Sequence, residues 1–237
     1  MLIANATVRI GLVMLAVAAL TSCGSNSPKA NGPHSTSSTA NPPPKALVEP
    51  PGGYDIGRIA NLANQFPPGF TVTPVPRTTL TKEQADSVAG LTKQFAFTFD
   101  PPQCNTVLKP AGVEAGAVSQ GLLAHGPQTE VTVIATQTSQ PIPDTVVGAG
   151  CSHVAFKSQD TARGTADVLA GPAIDGASTS AVKVHLDFAT PGFSKSIDRL
   201  TYVAALSDKT AVVVDSESNP QLLADLLVKA VAVIRQK

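Results

Sequence analysis

Residues 200–234 read LTYVAALSDKTAVVVDSESNPQLLADLLVKAVAVI, and this stretch decides the fold class. Apolar and β-branched residues predict strands over Leu200–Leu206 and Ala211–Val214, and the short polar run between them is the compact link of a hairpin. Asn219 and Pro220 then stand as the N-cap and the first residue of a helix. Apolar residues recur behind them at helical spacing: Leu222, Leu223, Leu226, Leu227, Ala230, Val231 and Ile234. The stretch therefore predicts a β-hairpin followed by a helix that packs on the sheet.

The residues upstream of this stretch predict more strands and two more helices. Alternating or β-branched runs predict strands over Gln94–Phe99, Val118–Ala124, Glu130–Gln137 and Val182–Phe188, with a shorter extended piece over Phe70–Val75. One helix is predicted over Asp55–Gln65, and the pair Thr81 and Gln84 fits a capping box that opens a second helix through Val88. Helices around hairpin-linked strands predict an α+β domain, in which a mainly antiparallel twisted sheet carries the helices on one face.

The first 23 residues have the order of a bacterial lipoprotein signal. Arg9 is followed by the uncharged run IGLVMLAVAAL at 10–20 and then by small residues that end at Cys23. Eleven residues rise only about 16 Å as a helix, whereas a membrane span needs roughly 20 residues. The residues from Leu20 to Cys23 match the lipobox, in which the cysteine thiol takes a diacylglyceryl group and a peptidase cuts before it. An ordinary signal peptide with a cysteine near its cleavage site is the alternative.

This signal predicts both the domain plan and the location of the protein. Residues 1–22 are the signal peptide, and residues 23–52 hold the lipidated Cys23 and a flexible stalk rich in Ser, Thr and Pro. Residues 53–237 are the single globular domain. Two or three acyl chains anchor a protein stably, so we expect it at the extracytoplasmic face of the cell membrane, in the cell envelope.

The composition argues against nucleic acid and against aromatic stacking sites. Lys plus Arg and Asp plus Glu both count 17, so there is no basic surplus to neutralise a phosphate backbone. Trp is absent, and Tyr 2 and Phe 8 leave few flat faces on which sugars or bases could stack. The membrane, reached through the lipid anchor, is the one partner that the sequence predicts directly.

The cysteines predict one disulfide. With Cys23 lipidated, Cys104 and Cys151 remain as a pair in a compartment where disulfides persist. Two unpaired thiols, or a reactive thiol with His153 acting as its base, are the competing interpretations.

The sequence offers no recognisable catalytic, metal or cofactor motif. His34, His125, His153 and His185 are scattered, so no helical His pair can bind a metal. Ser180 and Lys183 form S-x-x-K, which in penicillin-recognising enzymes opens a helix. Here the alternation of Val182, Val184 and Leu186 predicts a strand, with Ser180 and Lys183 on opposite faces. We therefore expect no enzyme, no cofactor and no metal.

Six stretches together carry a family resemblance. They are YDIGRIANLANQFPPGFTV from Tyr54, LTKEQADSV from Leu80, FTFDPPQC ending at Cys104, GAGCSHVAF around Cys151, PAIDGAST from Pro172 and KTAVVVD from Lys209. Over Tyr54–Lys237 the chain resembles an uncharacterised family of mycobacterial cell-envelope lipoproteins. It is also distantly similar to the extracellular sensor domains of mycobacterial receptor-type serine/threonine kinases, which generally carry two disulfides, whereas this chain can form one. The resemblance implies location, disulfide and fold, and transfers no catalytic residue.

These observations predict a non-catalytic envelope protein that binds a small or lipidic ligand or a partner protein. The first alternative is a structural or assembly accessory that acts through protein contacts alone, and the second is an undetected hydrolase. A deep apolar pocket would favour ligand binding, a flat apolar patch would favour the accessory, and a cluster of perturbed titratable groups would favour the enzyme. No ligand-binding residue can be named from the sequence.

Overall fold

The computed structural model of the protein describes residues 49–50, 53–87, 95–109, 111–142, 150–158, 161–190 and 193–236. The predicted signal peptide, the lipidation site Cys23, nearly all of the stalk, His34 and the end of the helix at Val88 lie outside these ranges.

Nine antiparallel strands form one sheet. They are β1 (Thr71–Thr79), β2 (Thr98–Asp100), β3 (Val118–His125), β4 (Glu130–Gln137), β5 (His153–Ser158), β6 (Ala162–Ala170), β7 (Ser178–Thr190), β8 (Phe193–Ala205) and β9 (Thr210–Ser216). Their order across the sheet is β1-β3-β4-β9-β8-β7-β6-β5-β2. The coarse prediction is thereby confirmed: the described chain is one domain, built mostly of a large antiparallel sheet with a few helices.

Two longer helices flank the sheet, and each begins at a side-chain cap. The first is a 3-10 helix over Ile56–Gln65, where the Asp55 carboxylate accepts a hydrogen bond from the Gly57 backbone N–H at 2.9 Å. The second, the C-terminal helix, is an α-helix over Pro220–Arg235 that is capped by Asn219 in the left-handed region. Residues 82–87 are also helical, and a short 3-10 turn covers Pro102–Cys104. None of the described helices combines the length and apolar content needed to cross a membrane.

The main core lies on the sheet face that we call the helix face. The C-terminal helix packs on β8 and β9, and the first 3-10 helix packs on β1, β3 and β4. Leu223, Leu226 and Leu227 of the C-terminal helix are fully buried there with Val133 of β4 and Val214 of β9. Burying each such side chain contributes roughly 1.5–3 kcal/mol to the stability of the fold. This apolar contact is therefore a main source of that stability.

The opposite face of the sheet, which we call the disulfide face, holds a second core. Val182, Val184 and Leu186 of β7 pack there with Cys104 and Cys151, whereas Ala181 of β7 belongs to the main core. Successive residues of a strand point to opposite faces, so the two clusters lie on the two sides of the sheet. The two longer helices both pack on the helix face, whereas the short turn at Cys104, which was not predicted, packs on the disulfide face.

The observed strands differ from the predicted ones in several places, and β1, β7, β8 and β9 each run beyond a predicted end. The strand predicted over Gln94–Phe99 is found only as β2, because Ala96 has a φ of 45°, which an extended ladder does not accommodate. Strands β5 and β6 were not predicted. β6 was missed because its sequence, ARGTADVLA, contains Gly, Ala and Asp, which have low strand propensity.

Candidate functional site

One half of the helix face carries polar side chains and remains exposed. The C-terminal helix packs on β8 and β9, and the strands beyond them, β7, β6 and β5, present every second residue on this side. We call these residues the polar sheet surface: His153, Lys157, Arg163, Thr165, Asp167, Lys183, His185, Asp187, Ser196 and Asp198.

The polar sheet surface contains a wide, open depression of about 720 Å³. Lys157, Arg163 and Asp187 line it, and the same three residues also line an adjoining depression of about 490 Å³. Both hollows lie between the side chains of neighbouring strands, so they form one shallow trough across β5, β6 and β7. A trough of this shape can contact a large surface, but it does not enclose a small molecule.

His185 stands at the middle of the polar sheet surface between two carboxylates. Its Nδ1 lies 2.9 Å from Oδ1 of Asp198, the residue directly opposite on β8. Its Nε2 lies 3.3 Å from Oδ1 of Asp187, two residues further along β7. The side chain of His185 is 43% exposed, so solvent reaches the cluster.

This arrangement favours the charged form of the imidazole. The hydrogen bond with Asp198 raises the pKa of His185, burial opposes that shift, and the charges of Asp198 and Asp187 add to it. The pKa of Asp187 is lowered, chiefly by the hydrogen bond that the Ser196 hydroxyl donates at 2.6 Å, while the charges of His185 and Arg163 add to it. In the cluster, His185 and the two carboxylates therefore stabilise one another's charged forms.

Two more ion pairs extend the polar sheet surface. Nδ1 of His153 lies 2.5 Å from Oδ1 of Asp167 across β5 and β6, and Nε of Arg163 lies 3.7 Å from Oδ2 of Asp187 across β6 and β7. The guanidinium of Arg163 is 82% exposed and keeps most of its donors free for solvent or a partner.

The residues that the sequence offered for catalysis are not arranged for it. Cys104 and Cys151 form a disulfide with their Cα atoms 5.6 Å apart, as predicted, so Cys151 is no thiol for His153 to activate. Ser180 and Lys183 lie on opposite faces of β7, as the alternation predicted. Ser196 donates its proton toward Asp187, and not toward the imidazole that a nucleophilic serine would need.

Metal ligation also finds no support in the described part of the chain, where no group of three His, Cys, Asp or Glu side chains is placed to hold a metal ion. His125 lies on the far side of the sheet from His185, and its Nδ1 is 3.1 Å from Glu130.

A buried ion pair lies on the disulfide face, on the other side of the sheet from the polar sheet surface. The guanidinium of Arg199 on β8 contacts Oδ1 of Asp215 on β9, and the Thr201 hydroxyl donates to Oδ2 of Asp215 at 2.7 Å. The side chain of Asp215 is only 3% exposed and that of Arg199 is 20% exposed. Burial lowers the pKa of Arg199, and the carboxylates of Glu217 and Glu130 oppose that shift. The pair marks the point where β9 ends and β8 continues without it.

Five of the phenylalanines gather on the disulfide face next to the disulfide. The rings of Phe97 and Phe156 meet edge to face at 5.1 Å, and Phe99 also packs on Phe156 at 6.0 Å. Phe95 contacts both Phe97 and Phe188. This cluster supports β2 and β5 from behind and so fixes the floor of the trough.

Comparison with known proteins assigns the fold to a family. A family model described as "Domain of unknown function (DUF5642)" matches residues 55–235. The chain belongs to this family. No curated protein matches the DUF5642 chain. A solved structure from Mycobacterium smegmatis, of an uncharacterised protein that is an Rv0999 ortholog, is similar to it with a TM-score of 0.59 and 24% identity. The match covers 77% of this chain and 98% of that one.

These findings confirm that the DUF5642 chain is similar to an uncharacterised mycobacterial protein, and at this identity the neighbour informs on fold alone. They assign no site. Sequence reasoning had named His153 and His185 without assigning them to a common surface, and it had missed Arg163, Asp187 and Asp198 as a set. The set depends on the register that places His185 opposite Asp198, and the pattern within either strand does not indicate that register.

Proposed function

We propose that the protein is a non-catalytic cell-envelope lipoprotein that binds a partner protein on its polar sheet surface. The observation that carries the proposal is the trough of about 720 Å³, which is open and built on paired strands, and in which Lys157, Arg163 and Asp187 stand beside apolar surface from Phe99 and Phe156. A rigid, exposed surface of ordered charges suits recognition of another protein, because charge complementarity sets both the orientation and the rate of encounter.

The shape of the site makes a lipidic ligand a poor fit for this surface. Lipid carriers enclose acyl chains in apolar cavities, whereas Lys157, Arg163 and Asp187 would all lose hydration against a hydrocarbon chain. A partner protein can instead supply matching charges and hydrogen bonds. The structural or assembly accessory, which was the first alternative, is a special case of the same surface function.

The arrangement around His185 argues against an undetected hydrolase. Both ring nitrogens contact carboxylates, and the Ser196 hydroxyl donates to Asp187. A general base needs a free lone pair within hydrogen-bond reach of the proton that it removes. The distant sequence resemblance to receptor-kinase sensor domains enters this proposal only as an expectation, and it implies the same class of function, which is recognition outside the cell without chemistry.

The location remains part of the proposal and rests on the lipobox at Cys23. Glu49 accepts a hydrogen bond from the Thr210 hydroxyl at 3.4 Å, so the stalk joins the domain at the β9 start of the sheet. In the native host we expect a Cys23→Ser variant to move from the membrane fraction to the soluble fraction. The N-terminal peptide of the wild type should carry the mass of a diacylglyceryl group, and an unmodified mature N-terminus in the wild type would contradict the anchor.

The binding surface is tested by site-specific photo-cross-linking in the native envelope. A photoreactive residue at Thr165, inside the trough, should yield a discrete cross-linked protein. The matched control is the same residue at Val228, which is exposed on the C-terminal helix. The product at Thr165 should be lost when Arg163 is changed to Glu. Equal products from both positions, or none from either, would contradict the proposal.

A further inference from the structure

The strand β8 is paired along its whole length on one side but along only half of it on the other. Its residues Phe193–Ala205 all pair with β7, whereas β9 pairs only with Leu200–Ala205. Residues 193–199 therefore form a sheet edge about 20 Å long, at 3.3 Å per residue. We call this segment the β8 edge.

Alternate residues of a strand direct their N–H and C=O groups to opposite sides, so the pairing of β8 shows which backbone groups point out from the β8 edge. Leu206 donates its N–H to the Thr210 carbonyl at 2.8 Å, so even-numbered residues of β8 hydrogen-bond toward the β9 side. Ser194, Ser196 and Asp198 follow the same alternation, so each directs its N–H and C=O groups away from β7. No residue of the described ranges hydrogen-bonds to these backbone groups.

The outer edges of the sheet are protected, and the β8 edge is not protected in the same way. On β1, Pro74 and Pro76 remove donors, and the register slips between Val75 and Thr78. On the other side, β2 is only three residues long and is followed by Pro101. The β8 edge has seven residues and no proline, and Lys195 is its one lysine.

We propose that an extended segment of a partner protein binds at the β8 edge as an additional strand, continuing the line of β9. This inference rests on the proposed function, because the trough on the same face would hold the rest of that partner. Ordered strand edges bind extended peptides through the main chain, and the flanking side chains set specificity. On the helix face the added strand would lie beside Ser194, Ser196 and Asp198, and on the disulfide face beside Lys195 and Ile197.

The charges along the β8 edge favour a different protein over a second copy of this chain. On the helix face the edge carries Asp198 and no basic residue, and on the disulfide face it carries Lys195 and Arg199 and no acidic residue. Two copies that joined their β8 edges antiparallel about a twofold axis would keep the two faces apart, so neither copy would supply a charge opposite to these. A partner segment can supply a basic residue beside Asp198 and an acidic residue beside Lys195.

The test uses the full-length mature protein, labelled with ¹⁵N, and a synthetic probe. The probe is a blocked nonapeptide in which threonine and lysine alternate with valine and glutamate. The control is the same peptide N-methylated at alternate residues, which keeps its side chains and removes its ladder donors. Without probe, the amides of Lys195, Ile197 and Arg199 should exchange with solvent at least about 100-fold more slowly than those of Ser194, Ser196 and Asp198, because only the first three are paired with β7.

Saturating probe should slow the exchange of the amides of Ser194, Ser196 and Asp198 by about tenfold or more, and the methylated control should not. A Ser196→Pro variant, which removes an outward donor, should bind the probe about tenfold more weakly. Binding that leaves these amides unprotected overturns the inference, and so does equal binding of the methylated peptide. Protection that rises with protein concentration alone would instead assign the edge to a second copy.

Failure here is distinct from failure of the proposed function. Cross-linking from Thr165 without protection of the β8 edge would leave the polar sheet surface as the binding site and remove the added strand. Absence of both signals would remove both.

Discussion

Replacing Arg199 by Met should be among the most damaging substitutions of a charged residue in this domain. It leaves the carboxylate of Asp215, whose side chain is 3% exposed, with only the Thr201 hydroxyl as a partner. Breaking a buried ion pair by removing one member costs about 3–5 kcal/mol, because the remaining charge is uncompensated. For a domain of this size each kcal/mol shifts Tm by about 2–4 °C, so the loss should be roughly 6–20 °C.

The matched control is Arg163→Met, which removes a guanidinium that is 82% exposed and 3.7 Å from Asp187. An exposed pair contributes about 0–1 kcal/mol, so this variant should keep nearly the wild-type Tm. The double variant Arg199→Met with Asp215→Asn should recover more than half of the loss, because it removes the buried charge and keeps an acceptor for Thr201. The Tm and the free energy of unfolding of all three variants are measured by thermal and chemical denaturation. Equal losses for the two arginine variants, or no recovery in the double variant, would refute the argument from buried charge.

Three further predictions address the disulfide, the imidazole and the close approach of two strands. Changing Cys104 and Cys151 together to Ala should lower the free energy of unfolding by about 4 kcal/mol for a 47-residue separation, measured by chemical denaturation, and an unchanged value would contradict it. The pKa of His185, followed by NMR, should lie above 6.5 and fall in an Asp198→Asn variant. The stability that this raised pKa confers should be full below pH about 6.5, lost as pH rises through the folded-state pKa, and absent from a His185→Gln variant. Gly164→Ala would place a Cβ 2.2 Å from the His185 carbonyl oxygen and should cost about 1–3 kcal/mol in the same denaturation assay, so a neutral result would contradict the register of β6 and β7.

The alternation of apolar and polar residues was enough to predict much of the sheet. Val182, Val184 and Leu186 lie on the disulfide face of β7, and His185 lies on the other, because a strand has only two sides. The same rule placed Ser180 and Lys183 apart. The strand predicted over Glu130–Gln137 is found with the same bounds as β4.

The site was harder to predict, because it depends on register between strands and not on the pattern within one. Asp187 and Ser196 meet only because β7 and β8 pair in one register, and Arg163 joins them only through β6. Gly164 shows why β6 gave a weak signal: a side chain there would collide with the His185 carbonyl and the Phe156 ring, so the strand needs a poor strand former at its centre.

The covering of the two faces explains why a surface is left for binding. An antiparallel sheet is stable with one wet face, so the nine strands do not need cover on both sides along their whole width. The C-terminal helix and the disulfide turn cover opposite faces in different halves of the sheet, and the helix face beyond β8 keeps its charges in water.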